Sequence, residues 1–256
     1  MKTAGQKVWT QVDRYFGDLL TPPDDALDAA LLANKRAGLP QIDVTGLQGK
    51  FLEFLVRISG ARHILEIGTL GGYSTIWLAR ALPEGGRIVT LELDPHHAEV
   101  ARGNLRNAGV LRLVDLRVGA AIDSLAALAN TGSEPFDLIF IDADKQGYPE
   151  YLNWSLKLSH PGTVIVADNV VREGKVVEAK IADGNVQGVR RFTELLAAEP
   201  RLSATVLQTV GTKGYDGFAL AVVLNYKAVM RPAQPFPGGR QSSSHRESSA
   251  RSLPAV

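Results

Sequence analysis

Two short stretches place carboxylates where a reaction would need them. "FIDADKQGY" sets Asp142, Asp144 and Lys145 directly behind an apolar run, and "VIVADN" ends another such run in Asp168 and Asn169. Two carboxylates and an amide oxygen are hard ligands that leave octahedral positions open to water or substrate. Such a set suits Mg2+, with Mn2+ or Ca2+ as alternatives. Zinc fits poorly, because no His or Cys belongs to it. Lys145, three residues after Asp142, is a candidate general base once nearby cations depress its pKa. The competing reading makes it a salt-bridge partner of Asp144. One Asp behind a strand is commonly only a cap, so the chemistry depends on the two runs lying side by side.

A third stretch, "EIGTLGGYS", places Gly68, Gly71 and Gly72 between an apolar run and a helical one. In a doubly wound sheet this is where a nucleotide-like ligand binds, and glycines let the backbone approach it closely. The spacing is not G-x-G-x-x-G and no lysine follows, so neither a dinucleotide nor a P-loop phosphate is favoured. Glu66 and Glu92 stand at the ends of the first two runs. An acid ending the second strand can accept both ribose hydroxyls, and Glu66 can orient a cationic group. An adenosine without phosphates and with a positive charge suits this pair. The plainer alternatives are a tight strand-to-helix connection and a solvated strand end.

The elements that must hold these residues alternate. The strands read "HILEI", "RIVTLEL", "LVDLRV", "FDLIFID" and "VIVAD", separated by segments of helical period. This order builds a parallel sheet with helices on both faces. Asp94-Pro95 reads as an N-cap followed by the first helical residue. A helix is expected over roughly 149–158, a turn at "HPGT", a polar loop over 170–185, and a helix containing "VRRFTELLAA". Two last strands, "LSATVLQTV" and "GFALAVVLN", join through "GTKGYD", which makes the final one antiparallel. The expected fold is α/β, a doubly wound, mostly parallel sheet of seven strands. Helical segments before His63 are expected to cover its ligand edge.

With 28 basic and 27 acidic residues, the chain has no global field to recruit nucleic acid or an acidic membrane. It lacks cysteine, which excludes disulfides and thiolate chemistry. No run approaches the roughly 20 apolar residues of a membrane span, so a soluble cytoplasmic protein with a small-molecule partner is expected. One domain over 1–227 is expected, a helical cap (1–60) on a core (61–227), followed by a disordered Pro/Ser/Arg-rich tail over 228–256. His96-His97 reads as a solvated pair, His63 and His160 as lacking ligand neighbours, and Arg190-Arg191 as an exposed helix face. The stretch from Asn169 to Gly188 can wall a substrate pocket, with Arg172 and Glu173 as contacts.

On "EIGTLGGYST", "LELDP", "FIDADKQGY" and "VADNV", in that order and spacing, the chain resembles the class I S-adenosylmethionine-dependent methyltransferases. Within them it is similar to the cation-dependent caffeoyl-CoA and catechol O-methyltransferases, over about Val8 to Asn225. The resemblance implies a Rossmann-like methyltransferase fold and a cofactor site of Val44, Glu66, Gly68, Thr69, Ser74, Glu92, Ala121 and Asp144. It implies metal ligands Asp142, Asp168 and Asn169, with Asp142 and Lys145 as catalytic residues. The implied reaction is methylation of a vicinal diphenol (a catechol, a caffeoyl-type thioester or a flavonoid) by a homodimer. The alternatives are an NAD-type oxidoreductase on the same sheet and a catalytically silent binding protein.

Overall fold

A computed structural model describes residues 4–178 and 180–225. The expected tail over 228–256 lies outside the described residues. Three helices come first, α1 (Ala4–Leu20), α2 (Asp25–Arg36) and α3 (Gly46–Ser59). Then β1 (His63–Ile67), α4 (Tyr73–Ala81), β2 (Arg87–Glu92), α5 (Pro95–Asn107), β3 (Val114–Val118), α6 (Ala121–Asn130) and β4 (Phe136–Ile141) alternate. The chain continues through α7 (Tyr148–Lys157), β5 (Ser159–Ala167), α8 (Gly184–Ala198), β6 (Leu202–Gly211) and β7 (Gly214–Val223).

The seven strands lie in the order β3-β2-β1-β4-β5-β7-β6. Parallel pairing runs from β3 to β5, and β7 is antiparallel to both β5 and β6. Period-two alternation explains how one sheet serves two cores. Leu65, Ile67, Ile139 and Ile141 face α6, α7 and α8, whereas Ile64, Ile88, Leu138 and Phe140 face α2, α3 and α4. Both sets are buried. Local chemistry sets the helix starts: Asp94 Oδ1 accepts the His96 N–H at 2.7 Å with Pro95 opening α5. Thr45 and Gln48 close a reciprocal capping box on α3.

Two expectations change. "HPGT" is no turn before a strand but an irregularity inside β5. The pairing with β4 slips between Phe136↔Ser159 and Leu138↔Val164, and Thr163 Oγ1 bridges the gap by accepting from His160 N and donating to Phe136 O. The loop over 170–185 contains a short 3-10 segment, Arg172–Val177, with Glu173 and Gly174 at positive φ. Of the first three helices, α3 packs on α4, α2 on α5, and α1 on β6 and α3. Asp13 of α1, Gln48 of α3 and the α2–α3 connection border the cavities at the ligand edge. Among the described residues no helix is long and apolar enough to cross a membrane.

Candidate active site

The strand order reverses between β1 and β4, and the crevice beyond their carboxyl ends is where doubly wound sheets bind ligands. Gly68 leaves β1 at φ +102, and a Cβ there would stand 2.0 Å from the main-chain oxygen of Asp142. Only glycine permits that approach, so the turn after β1 and the end of β4 are pressed together. Gly71 has the same role towards α2: its Cβ would fall 1.9 Å from Asn34 Oδ1. Asn104 Nδ2 donates to that oxygen at 2.9 Å and to Gly71 O at 2.8 Å, while Asn34 Nδ2 donates to Asp43 Oδ1 at 2.7 Å. Neither asparagine stands out in the sequence, because each acts through contacts far along the chain.

Glu92 holds the turn directly, its Oε2 accepting the N–H groups of Thr69 (3.2 Å) and Leu70 (2.7 Å) and its Oε1 that of Asp94 (2.9 Å). His97 Nδ1 lies 3.5 Å from Oε1, and His97 borders the cavity. The solvated-pair reading therefore fails for His97, one turn into α5 and aimed back at the strand end. Glu66 is fully buried, accepting from Ser74 (2.7 Å) on one oxygen and from Thr75 (2.5 Å) and Thr90 (2.6 Å) on the other. Burial pushes its carboxyl up to about 7 against those three hydroxyls.

A cavity of about 610 Å³ opens over this turn. Val44, Gly68, Thr69, Ser74, Glu92, Ala121 and Asp144 all border it, together with Asp142 and Lys145. Glu66 does not, and it reaches the cavity only through Ser74. Asp144 caps the short turn Lys145–Gly147, accepting from Gly147 N at 2.8 Å and from Tyr151 OH at 2.5 Å. That leaves Asp144 no bond to Lys145. The lysine pairs with Asp142 instead, Nζ to Oδ1 at 3.0 Å, and donates to the buried Tyr148 hydroxyl at 2.7 Å. Tyr148 in turn lies within donating distance of Ile141 O (3.0 Å) and Asp168 O (2.9 Å), tying both strand ends to one phenol.

Asp142 N–H donates to Ile67 O at 2.9 Å and Asp168 N–H to Ile141 O at 3.0 Å, so β1, β4 and β5 end in a staggered row. The two runs singled out in the sequence are thus neighbours. Asn169 follows at φ 55, and its N–H donates to Asp168 Oδ1 at 2.7 Å. Burial, reinforced by the charge of Asp142, pushes the Asp168 carboxyl up to about 7. Asp168, whose ionisation the charge of Asp142 opposes and one oxygen of which lacks a hydrogen bond among the described residues, fits a hard cation together with Asp142. No group of three or more His, Cys, Asp or Glu side chains suited to a metal occurs among the described residues. The candidate set is therefore two acids and one amide.

Comparison with known proteins decides the family. The family model described as O-methyltransferase matches residues 27–222. The chain belongs to the O-methyltransferase family. Catechol O-methyltransferase of Niastella koreensis is 54% identical over 217 residues, 85% of this chain and 98% of that protein. Catechol O-methyltransferase of Mycobacterium tuberculosis is 50% identical over 212 residues, covering 83% and 94%. The Bacillus cereus O-methyltransferase, solved in complex with SAH, superposes with a TM-score of 0.84 at 60% identity, over 85% of this chain and 99% of that one. TomG of Streptomyces achromogenes, solved with SAM and involved in tomaymycin synthesis, also gives 0.84, at 52% identity over 87% and 100%. These likenesses make the protein an S-adenosylmethionine-dependent O-methyltransferase and remove the oxidoreductase alternative.

A second cavity of about 530 Å³ adjoins the first in this O-methyltransferase, sharing Ile42, Val44, Asn169 and Arg172 with it. Of these two cavities Asp142 borders the first and Asp168 the second, so the two carboxylates of the corner face different spaces. The β6–β7 hairpin walls the second cavity, and its tip is fastened from α1. Asp13 Oδ2 accepts from Thr212 N (2.6 Å) and Oγ1 (3.0 Å), and Gln6 Nε2 donates to Gly211 O at 2.8 Å. Arg190, expected on an exposed face, instead donates to Val176 O (2.9 Å) and Glu178 O (2.5 Å) and so anchors the loop after β5.

Proposed function

We propose that this O-methyltransferase transfers the methyl group of S-adenosylmethionine to one hydroxyl of a vicinal diphenol, with a divalent cation held by Asp142, Asp168 and Asn169. The observation that carries this reading is the oxygen-rich corner at the seam of two adjoining cavities. One cavity is lined by the glycine turn and Glu92, and the other has room for a small aromatic acceptor. The curated relatives named catechol O-methyltransferase support the acceptor class.

S-adenosylmethionine supplies an electrophilic methyl on a sulfonium. A divalent cation supplies positive charge that favours proton loss from an adjacent hydroxyl. Glu92 orients the ribose side while Val44 and Ala121 border the same space, and Gly68 sets the distance to Asp142. Lys145 Nζ, steered by Asp142 and Tyr148, receives the hydroxyl proton. As the oxygen–carbon bond forms the carbon–sulfur bond breaks, S-adenosylhomocysteine leaves neutral, and Nζ returns its proton to solvent. Much of the acceleration comes from holding oxygen and methyl at attack distance across the Gly68–Asp142 contact.

The test is methyl transfer from labelled cofactor to catechol, with and without chelator, beside calorimetric titration of S-adenosylhomocysteine. Asp142→Ala should abolish metal-dependent turnover. Lys145→Ala should keep cofactor binding while losing roughly 10²–10⁴ in rate. Turnover indifferent to chelator would refute the metal, and full activity of either variant on catechol would refute the assigned roles.

A further inference from the structure

The end of β2 offers one hydrogen-bonding place fewer than a ribose diol requires. A carboxylate has about four lone-pair sites. Three of those on Glu92 are filled from within the chain, Oε2 accepting from Thr69 N and Leu70 N and Oε1 from Asp94 N. One site on Oε1 remains, enough for a single hydroxyl. His97 stands beside that oxygen. Its Nδ1 lies 3.5 Å from Glu92 Oε1 and its Nε2 3.9 Å from Asp94 Oδ2, both beyond hydrogen-bonding distance. Neither ring nitrogen makes a hydrogen bond among the described residues. The side chain is only 21% exposed and borders the first cavity. Its neighbour His96 is engaged elsewhere, with Nε2 at 3.0 Å from Ala37 O at the end of α2. Because Nδ1 of His97 faces a carboxylate oxygen, the tautomer with its hydrogen on Nδ1 is favoured. The imidazole thus presents a donor next to the place where Glu92 presents an acceptor.

We propose that Glu92 and His97 divide the ribose of S-adenosylmethionine between them, one hydroxyl donating to Glu92 Oε1 and its neighbour accepting from His97 Nδ1. This inference rests on the reading that seats the ribose at Glu92, and deepens it. A carboxylate can only accept, so it leaves the lone pairs of a bound hydroxyl unanswered; an N–H beside it answers them. His97 gives up no hydrogen bond of its own in doing so. Its ring is carried one turn into α5, whose start Asp94 and Pro95 fix. A nucleoside lacking either hydroxyl leaves Glu92 or His97 without its partner, which makes the pair a reader of ribose against deoxyribose.

The experiment titrates the full chain calorimetrically with S-adenosylhomocysteine and with its 2′-deoxy and 3′-deoxy analogues. The wild type should bind each analogue about tenfold more weakly than the parent compound. His97→Ala should bind the parent about tenfold more weakly and lose one of the two contrasts, while the other stays with Glu92. Should alanine pack poorly, His97→Phe keeps the bulk of a ring without its N–H and should lose the same contrast. His97→Asn, with an amide nitrogen near the place of Nδ1, should restore it. A packing defect weakens all three compounds alike. Both contrasts surviving in His97→Ala and His97→Phe therefore overturns the role of His97 and leaves the ribose on Glu92. Loss of both contrasts makes His97 a prop for Glu92 and overturns the direct contact as well. Three equal affinities in the wild type remove the ribose from Glu92 and sink both assignments.

Discussion

Replacing Glu66 by Gln should stabilise the cofactor-free protein, and by an amount that grows with pH. Glu66 is fully buried at the end of β1, and burial moves its carboxyl from an ordinary 4.5 to about 7. The folded protein therefore holds this proton more tightly than the unfolded chain does. The stability contributed by the neutral acid is complete below about 4.5 and is lost as the pH rises through about 7. At about 1.4 kcal/mol per unit, the fold above that range carries a penalty on the order of 3 kcal/mol. Glutamine is neutral throughout. Its carbonyl can keep the Thr75 and Thr90 bonds, while its amide faces Ser74, whose hydroxyl can turn round to accept. Urea unfolding of both proteins in chelator at pH 5 and pH 8.5 gives the difference of differences. Any constant packing defect of the variant then cancels, as does the titration of Asp168, which both proteins share. The variant should gain on the order of 3 kcal/mol relative to wild type between the two conditions. A gap that does not change with pH would refute the buried-acid account of Glu66.

Gly68→Ala should be destabilising by on the order of 2–5 kcal/mol, combining the positive φ with a Cβ driven into a main-chain oxygen that the sheet cannot move. It should weaken S-adenosylhomocysteine binding at least tenfold in calorimetry; a melting temperature within two degrees of wild type and unchanged affinity would contradict the joint. Asp216→Ala should free the Val171, Arg172 and Gly217 N–H groups and slacken the loop after β5. The acceptor KM should rise severalfold with cofactor affinity unchanged, as read from steady-state rates and calorimetry.

How much of this was legible in the chain depended on whether a residue's role is local. Asp94-Pro95 opens α5 where a cap and a first-turn proline must, and the five parallel strands sit where β-branched runs stop at turn residues. The pairing of the Asp142 and Asp168 strand ends followed from the winding rule, which fixes neighbours without any knowledge of side chains. "HPGT" misled because Pro161 and Gly162 are turn formers in isolation, while the hydroxyl of Thr163 lets β5 absorb them. Of the readings of Lys145, the pair with Asp144 is absent because Asp144 is spent on Gly147 and Tyr151, and the lysine pairs with Asp142 instead. Asn34 and Asn104 carried no local signal, since they meet each other across 70 positions of chain.

The hairpin fastened by α1 gives the molecule a temporal order. The glycine turn, the Gly68–Asp142 joint and the oxygen-rich corner use residues up to Asn169. The wall opposite them waits for Lys213 and is then tied back to Asp13 across 199 positions of chain. A polypeptide emerging from the ribosome can thus shape the first cavity while the second still has no far wall. Closing so long a loop adds little entropy beyond that of a shorter one, so this late contact is thermodynamically inexpensive. Fraying of α1 would release the hairpin tip that closes this wall.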